Sequence, residues 1–184
     1  MIWLILGVAL WWAAHLFKRL APDARASLGK KGQPIVAIAV VASVVLMIIG
    51  YRMADGAFYW GRTPAMVGIN NLLMVAAFYI YGATAAKPAK VWIGRKIRHP
   101  QLTAFSIWAV AHLLVNGDVP SFVLFGGLLI WALLEMALIN RQEGVWHVPP
   151  VAPIKKEMTL VIVTIVMLVV VMSIHYALGV KPWG

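Results

Sequence analysis

Apolar residues in this chain fall into six long runs separated by short polar segments: Ile2–Phe17, Ile35–Met53, Ala65–Ala86, Leu102–Val115, Val119–Ile139 and Met158–Leu178. A helix needs about 20 residues, usually about 17–25, to cross the hydrocarbon core of a bilayer. The second, third, fifth and sixth runs reach that length alone. The first reaches it when Lys18 and Arg19 extend their charged ends to the headgroups. The fourth is short, and is expected to begin near Arg98 or to be partly shielded by its neighbours. One such run would suit the core of a soluble domain, but six in succession leave no polar remainder to cover them. The pattern predicts an all-α polytopic membrane helix bundle of about six transmembrane helices, or five if the fourth span is re-entrant or partial. It forms a single domain over residues 1–184.

Prolines mark the joints. Pro34, Pro64, Pro100 and Pro120 open spans two to five, where a missing N–H costs nothing in the first helical turn. Val148–Pro153 holds three prolines and reads as a stiff connector. The first run has no basic segment before it and is followed by Lys18-Arg19, so it is expected to be a retained anchor and not a cleaved signal.

Composition agrees, with 62% hydrophobic and 12% charged residues, against about a quarter charged in soluble domains. The chain has no cysteine, which excludes disulfides, thiolate metal sites and thiol catalysis. Its net charge of +10 is spread over short loops, and no basic face is large enough to track nucleic-acid phosphates. The lipid bilayer is the expected partner. Thirteen of the sixteen basic residues fall in alternate segments. They are Lys18, Arg19, Arg25, Lys30 and Lys31; then Lys87, Lys90, Arg95, Lys96 and Arg98; then Arg141, Lys155 and Lys156. Only Arg52, Arg62 and Lys181 lie on the other side. The positive-inside rule puts the basic loops in the cytoplasm and both termini outside, and an even number of spans agrees.

Polar groups in hydrocarbon need a partner or a task. Those inside the runs are His15, Asn70, Asn71, Ser106, His112, Asn116, Glu135, Ser173 and His175. No lysine or arginine sits at mid-depth, against a voltage sensor or a simple anion pathway. A single carboxylate gives ion coupling little to work with, and no helices are broken in matching halves. Trp108, His112 and Asn116 recur every four residues and form one stripe. The stripe is either a pocket wall or a packing face in which His112 bonds a carbonyl and Asn116 caps the helix. His15 follows Trp11 by one turn, as either an interfacial histidine or a ligand. Glu135 is a neutral carboxylic acid, a partner to a histidine, or a group near the interface with Arg141, and depth favours the last.

Histidines in a helical bundle suit a b-type haem held by axial imidazoles. At 1.5 Å per residue, His15 lies about 8 Å from the inner end of span one and His112 about 18 Å from Pro100. Two ligands of one iron have nitrogens about 4 Å apart, so this pair mismatches by about 10 Å in depth. By depth, His15 pairs better with His99, and His112 with His175.

The run Arg98-His99-Pro100, with the segment Trp108–Asp118, resembles the NnrU family. So do the first span with His15, the following Ala21-Pro22-Asp23, and Leu124-Phe125-Gly126 continuing to Trp131-Ala132. The resemblance covers residues 1 to about 140. It implies a bacterial inner (cytoplasmic) membrane protein with periplasmic termini. It also implies a link to nitrite and nitric oxide metabolism in denitrification, beside a nitrite or nitric oxide reductase system. A related enzyme, zeta-carotene isomerase, shares this domain and uses haem b. Carried across, that pattern implies His15 and His112 as iron ligands; in a haem protein so built, Trp11, Trp108 and Asn116 would line the pocket. The Arg98-His99-Pro100 signature also resembles isoprenylcysteine carboxyl methyltransferases, where it helps bind S-adenosylmethionine. This chain departs from them in having Glu135 without an adjacent second glutamate. Three readings follow: a haem protein, a non-catalytic accessory or assembly protein, and a methyltransferase. They leave open whether the chain is an enzyme.

Overall fold

Six helices carry the six apolar runs: α1 (Ile2–Leu20), α2 (Gly32–Met53), α3 (Pro64–Gly82), α4 (Pro100–Val115), α5 (Val119–Glu143) and α6 (Ile154–Ala177). The computed structural model describes residues 1–85 and 88–183. Ala86 (the expected end of the third span) and Lys87 (an expected loop cation) lie outside the described residues. All the helices except α4 are long and apolar enough to cross a membrane, so the molecule is a multi-pass, all-α membrane bundle.

Helix starts follow local chemistry. Thr63 caps α3 by accepting a hydrogen bond from the Met66 N–H at 3.2 Å, with Pro64 at the first helical position. Asp118 caps α5 by accepting from the Ser121 N–H at 2.8 Å. α2 begins at Gly32, so Pro34 lies inside its first turn.

The helices neighbour one another in the order α2, α1, α5, α4, α3, α6. α1 and α2 touch through glycines: a Cβ on Gly7 would lie 2.7 Å from the Met47 nitrogen, and one on Gly50 would lie 2.2 Å from the Leu4 nitrogen. Small residues at such crossings let backbones approach in a membrane, where apolar side chains gain little by leaving lipid. α4 is short, 16 residues or about 24 Å, but it is flanked by α3 and α5 and buries Ala104, Ala109 and Ala111. The short span starts at Pro100, just after Arg98 as expected, and its neighbours shield it.

The loops sort into two ends. At one end, Arg19 pairs with Glu143 at 2.9 Å, and the Arg98 guanidinium donates to the Gly144 carbonyl at 2.6 Å. There the proline connector docks on the α3–α4 loop: the Lys90 N–H donates to the Pro150 carbonyl and the Ala152 N–H to the Lys90 carbonyl, both at 2.9 Å. At the other end β1 (Phe58–Trp60) pairs antiparallel with β2 (Gly117–Asp118). There also the Arg62 guanidinium donates to the Lys181 carbonyl, and the Asn71 amide to that of Pro182 at 3.0 Å. The basic segments after α1, α3 and α5 therefore share one end, and the α2–α3 and α4–α5 connections share the other with the C-terminal segment.

Three features lay outside the sequence expectation. These are the β contact, a short helix Pro22–Ser27, and a π-helical stretch Phe122–Gly126 inside α5. The π stretch turns Phe125 inward against Tyr51, Trp108 and His112.

Candidate functional site

Near the end opposite the basic loops, the bundle encloses a cavity of about 260 Å³ between α3, α4 and α6. Its polar wall comprises His112, Asn116, His175, Asn70, Asn71 and Arg62, and Phe125 and Tyr51 close one side. The C-terminal segment covers it through Val180 and Pro182.

His112 and His175 face this space from different helices, with ring centres 6.5 Å apart. Each lies near the last turn of its helix and uses its own backbone in the same way. His112 Nδ1–H donates to the Trp108 carbonyl at 2.9 Å, and His175 Nδ1–H to the Val171 carbonyl at 2.8 Å. A carbonyl only accepts, so Nδ1 carries a proton in both rings, and in the neutral imidazole Nε2 keeps its lone pair. This is the tautomer a metal ligand needs.

Asn116 serves as the expected cap, its amide donating to the His112 carbonyl at 2.8 Å. Trp108 lies one turn inward, its ring 5.0 Å from that of His112. It lines a second, apolar cavity of about 590 Å³ that shares Met74 and Phe78 with the first.

His15 lies elsewhere. Its Nδ1–H donates to the Trp11 carbonyl at 2.9 Å, and its ring packs on Trp11 at 4.1 Å and on Trp131 at 4.8 Å. Among the described residues no ring contact joins His15 to His112. The ring-to-ring path between them runs through Trp11, Phe105 and Trp108. Beside His15, the Trp11 and Trp131 indole N–H groups and one oxygen of Glu135 are buried without a partner among the described residues. The other Glu135 oxygen meets Arg19 at 3.7 Å. The expected proximity of Glu135 to Arg141 is thus replaced by a pair with α1, because the α5 face carrying Trp131 and Glu135 turns toward that helix.

Arg98 and His99 stand at the basic end and join α4 to the end of α5. His99 Nε2 donates to the Asn140 side-chain oxygen at 2.8 Å, while Arg98 holds Gly144. Arg62, Tyr51 and the tail were not singled out as site residues in the sequence, since each stands near a connection and only the fold brings them to the cavity. His175 was visible there through its depth.

The donor set can be weighed against haem b. Axial nitrogens about 4 Å apart, each about 1 Å from its ring centre, require ring centres about 6 Å apart. His112 and His175 meet that requirement with free Nε2 atoms, and Arg62 at the cavity wall supplies a cation suited to a carboxylate substituent. A volume of about 260 Å³ is below the usual range of about 300–1,000 Å³, so the side chains of α3 and α6 that flank the two rings would have to give way for the macrocycle to enter. α6 is the least buried of the five long apolar helices.

The model of one family, described as NnrU protein, matches residues 3–182. No curated protein and no solved structure matches the chain. The match takes in all six helices, both ends of the bundle and both cavities, and the chain belongs to the NnrU protein family.

Proposed function

We propose that this protein is a membrane haem b protein of the NnrU family whose iron is held by His112 and His175. The observation that carries the reading is the approach of two histidines on different helices, at 6.5 Å, with Nδ1 committed to carbonyls and Nε2 free. This reading prefers that pair to His15–His112, the pair implied by family resemblance, since three aromatic rings lie along the path between those two. When bound, the group would supply redox or small-gas chemistry, with the protein setting potential and access. Asn116 and Tyr51 would offer hydrogen bonds at the cavity, Phe125 would exclude water, and Arg62 would hold an anionic substituent.

The positive-inside rule places this cavity on the outer side of a bacterial cytoplasmic membrane. That placement suits a function in nitrite and nitric oxide metabolism, beside a nitrite or nitric oxide reductase system. Purification from haem-replete cells followed by oxidised and reduced visible spectra tests the reading. A Soret band with sharp reduced α and β bands is expected. A colourless protein would leave the accessory role as the better description.

A further inference from the structure

The second cavity has a character of its own. Its wall is built from α3, α4 and α6 in the half of the bundle nearer the basic loops, and no charged side chain lines it. Phe78, Phe105 and Trp108 supply flat aromatic surface, while Met74 and Met167 supply adaptable surface. Its volume of about 590 Å³ lies within the range of small-molecule sites.

One polar residue of this wall stands apart. Thr164 is 5% exposed, and its hydroxyl has no partner among the described residues. Three other helix hydroxyls bond back to a carbonyl one turn earlier, Ser106 to Leu102, Thr159 to Lys155 and Ser173 to Val169, and that of Thr103 reaches the Met136 sulfur. Thr164 makes neither kind of bond. A buried hydroxyl without a partner costs about 1–3 kcal/mol, and a ligand oxygen within reach of a χ1 rotation removes the cost. Thr164 and His175 are eleven residues apart on one helix, or about 16 Å, so the two sites are distinct and this inference does not rest on iron at His112.

We infer that the cavity is a binding site for a membrane quinone: an uncharged, lipid-soluble ring flanked by Trp108 and Phe105, with one carbonyl oxygen accepting from the Thr164 hydroxyl. The absence of lining charge selects a neutral ligand, the aromatic wall a flat one, and the buried, unpartnered hydroxyl of Thr164 one that carries an acceptor.

The test is equilibrium binding of a short-chain benzoquinone to the full chain in phosphatidylcholine nanodiscs, with empty nanodiscs as the reference. Saturable binding is expected. Thr164→Val, of the same shape, should weaken it about three- to tenfold, while Thr164→Ser should retain it. Val163→Phe, on a more exposed part of the same wall, should block it without burdening the core. Uptake no greater than that of empty nanodiscs would overturn the inference. So would equal affinity in Thr164→Val, unchanged binding in Val163→Phe, or displacement of the quinone by an oxygen-free polyene as effective as by unlabelled quinone. The last result would assign the cavity to hydrocarbon chains alone.

Discussion

Gly117 shows how closely single positions are constrained next to the histidine cavity. A Cβ there would lie 2.2 Å from the Trp60 indole, whose N–H donates to the Leu113 carbonyl at 3.1 Å. Trp60 thereby satisfies an orphan carbonyl at the end of α4 and seals the short helix. Gly117→Ala must push the indole off this carbonyl, with a cost of about 1–3 kcal/mol. A lower thermal midpoint in detergent is the expected readout, and an unchanged midpoint would show that Trp60 has room to move. The starts of α3 and α5 could be read from the sequence through Pro64 and Pro120. Thr164 could not, because a threonine in an apolar run carries no sign of whether its hydroxyl is satisfied.

At the scale of elements, the α1–α5 contact includes an ion pair near the basic end of the bundle. Glu135 is 12% exposed and Arg19 20%, and they meet at 3.7 Å. Removing Arg19 leaves a carboxylate among apolar neighbours, and losing one partner of such a buried pair costs more than the pair contributes. Arg19→Ala is therefore expected to destabilise by about 1–3 kcal/mol. Arg19→Ala combined with Glu135→Leu should recover much of the loss in a thermal double-mutant cycle. Additive losses would mean that the pair is incidental.

Periodicity alone does not reveal this partner. Depth along a helix is readable from the distance to a loop, which is why His112 and His175 could be matched in advance. Rotation about the axis is not readable in helices that are apolar on all sides, and so Glu135 was expected near Arg141. The π stretch was hidden for a similar reason, since one added residue per turn leaves no mark in a run that is apolar throughout.

For the whole molecule, the number of spans and their alternation were legible because 62% hydrophobic content leaves so little polar chain to distribute. The contacts that unite each set of loops agree with that reading. Its direction across the membrane can be tested cleanly, because the chain contains no cysteine. Asp55→Cys, in the α2–α3 connection, should react with a membrane-impermeant thiol reagent in intact cells. Val145→Cys, at the basic end and 81% exposed, should react only after lysis. The opposite pattern would invert the topology and move the histidine cavity to the cytoplasmic side.

The pairing of His112 with His175 is the claim on which the functional reading stands. Its most direct measurement is the reduced-minus-oxidised visible spectrum of the purified protein compared across His15→Ala, His112→Ala and His175→Ala at matched haem supply. The spectrum is predicted to survive in His15→Ala and to be lost, or converted to a single-ligand form, in each of the other two. A spectrum lost in His15→Ala and intact in His175→Ala would contradict it.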